Sequence, residues 1–195
     1  ARRGLFLYGF GFVLDWVWPG TILFFYGAFF VLGALLFTLR TRWLVAVGAA
    51  AALFAAGLQW WGAVRRRDGH DVRWLFDPQT LIEQSPRGLV FDTFVNGTHP
   101  VLPWLAFLCV GIVLGRSLPT LRRGPVAAIA AGATALTYLV NRVVAWDSDD
   151  AVLRTVLSTR PFDRGLLYVV GTSGTSLVAY CGCSWVAERW STAVP

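Results

Sequence analysis

Between Val101 and Gly115 the chain runs without a single charge, and Arg116 closes the run. About 20 predominantly apolar residues cross a bilayer as a helix, so this stretch with its flanks reads as a membrane span. Pro100 and Pro103 sit where that helix would begin, and proline is tolerated in a first turn whose N–H groups lack partners anyway. Thr98 reads as the cap. Arg116 reads as an interfacial anchor whose long stem reaches water. His99, close in sequence to Asn96 and Asp92, stands at the rim rather than in hydrocarbon.

Composition extends this reading to the whole chain. Hydrophobic residues make up 56% and charged residues only 14%, against roughly 25% charged in a soluble domain. The mean hydropathy is +0.58. These values imply an all-α integral membrane protein, a polytopic helix bundle whose first partner is membrane lipid. The ten Trp and five Tyr fit interfacial belts. The net charge of +6 is all arginine, since the chain has no Lys. A basic balance can signal nucleic acid, but nothing beyond net charge supports that partner, and in a membrane chain it more often reports orientation. The chain opens on Ala and contains no Met, so the expectation is that sequence upstream is missing or cleaved; no signal-peptide pattern is visible. Cys109, Cys181 and Cys183 all fall in apolar runs, and the C-x-C pair lacks the spacing of a zinc site, so no metal is expected.

Six apolar runs emerge as spans of a single transmembrane domain over residues 1–195. The first, Gly4 to Trp18, is short for a span, so it is expected either to continue upstream or to cross with its ends in the interface, and it carries Asp15 near its far end. Pro19 and Gly20 break it, and Thr21 to Leu39 returns as the other arm of an antiparallel hairpin. Trp43 to Val64 is rich in alanine and glycine, which lets helices approach closely. Arg65 to His99 is too long for an idle connection. Within it Asp77-Pro78 predicts a short helix with Leu81 and Ile82 at an interface, stopped by Pro86. Arg87 to Val95 predicts a second short piece, and both should lie against the membrane surface. After the run to Gly115, Arg122 and Arg123 mark a basic turn, and the fifth span is Pro125 to Ala145. A second polar stretch, Trp146 to Arg164, holds Asp147, Asp149 and Asp150 at an expected helix start. The last span, Gly165 to Ala187, contains GTSGTS at Gly171 to Ser176, either a close helix contact or a polar strip facing a cavity.

Alternation of six spans sorts the charges. With a cytoplasmic N-terminus, one side carries Arg2, Arg3, Arg40, Arg42, Arg116, Arg122, Arg123 and Arg189 with Glu188 as its one acid, a balance of +7. The other side, holding the remaining arginines and acids, balances at −1. Positive residues in short loops face the cytoplasm, so this assignment is the expected one. The long and the medium loop, with their short interfacial helices, are then extracytoplasmic. The Arg65–Arg67 cluster runs against the trend, although long loops cross despite their charge.

The order of these motifs resembles bacterial membrane proteins related to heparan-alpha-glucosaminide N-acetyltransferase, a polytopic acyltransferase family. The likeness is carried by GLFLYGFGFVLDWVWPGTILFFYGAFFVLGALL at Gly4 to Leu36, NGTHPVLPWLAFLCVGIVLGR at Asn96 to Arg116 and VVGTSGTSLVAYCG at Val169 to Gly182. The resemblance implies an acyltransferase of the cell envelope, moving an acyl group from cytoplasmic acyl-CoA to a glycan or glycolipid on the far side. It also implies a larger bundle, of which this chain would be a partial one starting near the third helix, because the family's arginine-glycine motif and first-loop histidine do not occur here.

Such a reaction needs a base for a sugar hydroxyl or amine, or a nucleophile to carry the acyl group, and histidine suits either because its unperturbed pKa lies near neutrality. His99, oriented by Asp92 with Asn96 beside it, is the candidate; the competing reading is a histidine that caps or packs at the interface. His70 reads as solvated. Arg116, Arg122 and Arg123 could hold the phosphates of coenzyme A, or serve only as topology signals. Asp15, Asn141 and Arg142 invite the same choice between function and anchoring. Asn96-Gly97-Thr98 also matches a glycosylation sequon, a pattern common by chance. No P-loop, dinucleotide-binding loop or GxSxG elbow is present. Two further classes stay open. A non-catalytic membrane subunit or scaffold, packed on a partner membrane protein or on a second copy, would use the small-residue helix faces. A lipid or solute transporter would need a matched pair of broken helices, and none is evident.

Overall fold

The computed structural model describes residues 2–15, 17–18, 22–76, 86–97, 99–146 and 148–191. Every regular element among them is helical, and the chain forms two compact units, Ala1–Val113 and Leu114–Pro195. Among the described residues, four helices are long and apolar enough to cross a membrane: Thr41–Arg67, Val101–Thr120, Arg123–Ala145 and Leu166–Trp190. Leu23–Leu36 is apolar but shorter.

In the first unit, α1 (Arg2–Asp15) and α2 (Leu23–Leu36) have 14 residues each, about 21 Å at 1.5 Å per residue. That falls short of a hydrocarbon core about 30 Å thick; the first run was already short in the sequence, while the second, expected over Thr21 to Leu39, is helical over Leu23–Leu36. The pair is antiparallel and pressed together at glycines. A Cβ on Gly4 would lie 2.9 Å from the Gly27 carbonyl oxygen, and one on Gly11 or Gly27 would strike the backbone of Phe24 or Tyr8. Close approach of this kind replaces the hydrophobic drive that lipid cannot supply. Pro19, Gly20 and Thr21, the expected break, lie outside the described residues.

Helix α3 (Thr41–Arg67) ends in a Schellman turn: the His70 N–H donates to the Arg65 carbonyl at 2.9 Å and the Gly69 N–H to Arg66 at 3.1 Å. Gly69 supplies the left-handed residue at φ 80°. The chain then folds back, and α4 (Arg73–Phe76) lays the Phe76 ring on Gly62, where no Cβ would fit. The Arg66 guanidinium stands 5.2 Å above the same ring. Helix α5 (Pro86–Phe91) is joined to α4 by an edge contact of Trp74 with Phe91 at 5.8 Å and by Arg87, 5.4 Å above each ring. Pro86, expected to stop an earlier helix, is instead the first residue of α5, where its missing N–H costs nothing. The helix expected at Asp77-Pro78, with Leu81 and Ile82, lies outside the described residues. Helix α6 (Val101–Ser117) packs on α3 where Gly48 meets Cys109, around a core of Leu36, Leu44, Cys109 and Ile112.

The second unit is built on the antiparallel pair α7 (Arg123–Val140) and α9 (Leu166–Ser191). The GTSGTS segment faces α7: a Cβ on Gly171 would stand 2.8 Å from Thr137 Oγ1, and one on Gly174 would meet Thr134 and the Ala130 carbonyl. Thr134 Oγ1 donates to the Gly171 carbonyl at 3.3 Å across the contact, and Thr137 Oγ1 returns to its own helix at 2.7 Å. Of the two readings the sequence allowed, the helix contact is the observed one. At the open end of this pair, α8 (Ala151–Val156) is capped by Asp150, whose carboxylate accepts the Val152 N–H at 2.8 Å. Asp149 is exposed, and Asp147 lies outside the described residues.

Candidate functional site

The segment before α6 carries the polar residues that matter. After α5 the helix widens into a π turn, Asp92–Asn96, closed by the Gly97 N–H donating to the Asp92 carbonyl at 2.9 Å. Single π turns inside helical segments recur at functional sites because they re-aim side chains. Here the turn buries Thr93 and Asn96 completely while Asp92 stays half-buried. Buried polar groups bond within the protein, and the Thr93 hydroxyl meets the Tyr8 hydroxyl of α1 at 3.1 Å. Gly97 is obligatory: a Cβ there would strike the Asp92 carbonyl oxygen and the Phe25 ring of α2.

His99 follows, half-buried, between two aromatic rings. Phe25 meets it edge-on at 6.0 Å and Trp104 does the same from α6. Offset and edge contacts at such distances are the favoured arrangement of aromatic rings, and two of them fix the imidazole plane. Its Nδ1 is buried, as are Asp92 Oδ1 and Asn96 Oδ1. The three residues named from sequence therefore lie in one short stretch and each turns a polar atom inward. Thr98, expected as the helix cap, lies outside the described residues. Pro100 and Val101 are buried, and Pro103 falls in the first turn of α6 as its missing N–H allows.

Sequence reasoning missed Tyr8, Phe25, Thr93 and Trp104 as partners of this site. Thr93, inside the π turn, and Trp104, five residues beyond His99, could have been found locally; Tyr8 and Phe25 reach the site through tertiary packing. His70 is exposed, and its neighbour Asp71 is held below the usual carboxylate range by a hydrogen bond from the Arg73 side chain at 3.2 Å and one from the Arg73 backbone at 2.9 Å. Asp15 ends α1 half-buried.

The arginines proposed for a donor belong to the second unit. Arg116 is exposed in the last turn of α6, Arg122 is exposed just ahead of α7, and Arg123 is the first residue of α7. Arg123 is ion-paired with Glu188 of α9. This joins one end of α7 to one end of α9 and engages one of the three cations that the sequence offered for a phosphate. Asn141 is also structural: its amide donates to the Leu157 carbonyl at 2.7 Å. Arg142 lies 5.2 Å above the Trp146 ring.

Cation–aromatic pairs mark the ends of the long helices. On α3, Arg42 lies 5.7 Å from the Trp43 ring and Arg65 lies 5.6 Å from Trp61. On α9, Arg189 lies 4.8 Å from Trp185. Trp43 and Trp61 are separated by about 27 Å of helix, close to the thickness of a bilayer's apolar core. Between them Leu53 and Phe54 are about 60% exposed, as lipid-facing side chains are. These features define an all-helical integral membrane protein in contact with lipid. No family model, curated protein or solved structure matches the chain.

Proposed function

We propose that the protein is an acyltransferase of a bacterial plasma membrane, with its N-terminus cytoplasmic, that moves an acyl group from cytoplasmic acyl-CoA to an extracytoplasmic glycan or glycolipid. The observation that carries this reading is the His99 imidazole, held between Phe25 and Trp104 with Nδ1 buried beside a π turn that carries Asp92 and Asn96. A fixed imidazole with one nitrogen turned inward leaves Nε2 as the base. Nε2 takes the proton of the acceptor hydroxyl or amine, the acceptor atom bonds to the thioester carbonyl carbon, and the C–S bond breaks. The proton then passes to the leaving thiolate, giving free coenzyme A. Asp92 and Asn96 orient the ring and the acceptor. Arg116 and Arg122 would meet the phosphates of the donor by charge-assisted hydrogen bonds, with Arg123 already engaged by Glu188.

His99→Ala should abolish acyl transfer from radiolabelled acetyl-CoA in membranes while leaving insertion and yield unchanged. Turnover at the wild-type rate in His99→Ala would remove the imidazole from the mechanism.

A second reading, a non-catalytic membrane subunit, is favoured by one face of α7. Ala128, Ala131, Gly132 and Ala135 are exposed there, and nothing lies within 4 Å of a Cβ placed on Gly132. Small-residue faces admit a further helix. Co-purification of a stoichiometric partner together with no binding of coenzyme A would support this reading over catalysis.

A further inference from the structure

We infer that the second unit carries a binding site for a phosphate ester, separate from the His99 site and independent of the acyl-transfer reading. A cavity of about 530 Å³ lies between the end of α7 and the α8 segment, within the 300–1,000 Å³ typical of small-ligand sites. Its walls are held by internal bonds. Asn141 donates to the Leu157 carbonyl, Thr155 Oγ1 donates to the Ala151 carbonyl at 2.9 Å, and the Ser158 hydroxyl accepts the Arg160 N–H at 3.1 Å while bonded to Asp163. Asp163, the carboxylate of the lining, is thereby engaged.

Arg154 and Arg160 also line the cavity. Both are exposed, and neither guanidinium takes part in an ion pair among the described residues. Two arginines against one aspartate leave the lining net positive. A guanidinium presents a planar fork of donors that matches phosphate oxygens, and two of them on one preformed cavity are suited to a phosphate group. The depth fits a headgroup: the apolar helix ends at Ala145, Val143 and Val144 are exposed just before it, and Trp146 with Arg142 above its ring forms an interfacial pair on the cavity wall. The phosphate can arrive on a lipid or on a soluble ester, and the two sources are separable.

The test is thermal unfolding of the purified chain in neutral detergent with three probes at constant ionic strength: phosphatidylglycerol, diacylglycerol and glycerol 3-phosphate. A ligand that binds the folded state raises the unfolding temperature in a saturable manner. Saturable stabilisation by phosphatidylglycerol alone assigns a lipid headgroup, and stabilisation also by glycerol 3-phosphate assigns a site open to soluble esters; diacylglycerol should have no effect. Arg154→Gln with Arg160→Gln should weaken the apparent affinity at least tenfold, whereas Arg2→Gln with Arg3→Gln, which removes the same charge elsewhere, should not change it. Should the double variant lose its fold, each single substitution should still weaken binding severalfold. No saturable response to either phosphate ester, or an undiminished response in the cavity variants, overturns the assignment.

Discussion

Gly97 is the residue of the His99 site with least room for change, because it closes the π turn while the Phe25 ring of another helix fills the space a Cβ would need. Gly97→Ala must either open the turn or displace Phe25, and overpacking of this kind costs about 1–3 kcal/mol. The expected result is a lower unfolding temperature in detergent with disturbed placement of His99, whereas Gly9→Ala, inside α1 where nothing lies within 4 Å, should raise it slightly. A Gly97→Ala protein that melts with wild type would mean that the close approach is not rigid. Asp92, Asn96 and His99 were legible in the sequence because they are neighbours along the chain at the mouth of an apolar run. Tyr8 was not, since its bond to Thr93 joins residues 85 positions apart. Nothing in local composition marks such a pair. Arg123 shows the reverse: it was legible as a basic turn residue, but the acid that engages it, Glu188, lies at the far end of another span.

At the scale of elements, helix positions followed directly from the apolar runs, and the internal form of those helices did not. The six runs correspond to α1, α2, α3, α6, α7 with its π turn, and α9. What escaped was the widening of two segments into π turns at Asp92–Asn96 and Asn141–Ala145, since a shift from i+4 to i+5 bonding leaves hydrophobic spacing almost unchanged. The glycine pattern left two readings for GTSGTS, and threonines on α7 decide between them. Gly174→Val should therefore force α7 and α9 apart: its side chain would collide with Thr134 and the Ala130 carbonyl, at a cost of about 1–3 kcal/mol. By contrast Gly132→Ala, on the open face of α7, should stabilise by roughly 0.5–1 kcal/mol because alanine loses less backbone entropy in a helix. Unfolding midpoints in a denaturing detergent titration give both values. Equal midpoints for the two variants would show that the glycines of α9 are not the contact.

For the whole molecule, the decisive quantity is how charge and aromatic rings are distributed along the membrane normal. Helix α3 carries an arginine–tryptophan pair near each end, so its two termini are anchored at opposite interfaces. On the proposed orientation the arginine-rich, nearly acid-free turns around Arg40 and Arg122 would face the cytoplasm, as the rule for short loops expects, and the segment around His70 would lie on the other side. Arg65, Arg66 and Arg67 at the end of α3 oppose that assignment. They open the long stretch that runs to His99, and long loops cross largely regardless of their charge. The proposed orientation therefore rests on the short turns. In a background with Cys109, Cys181 and Cys183 replaced by Ala, a cysteine at the exposed position His70 should react with an impermeant maleimide in intact cells. One at exposed Thr120 should react only after permeabilisation. Labelling of both from the same side would mean that α6 does not cross the bilayer, and would place His99 and the donor arginines on one face, where transfer across a membrane has no meaning.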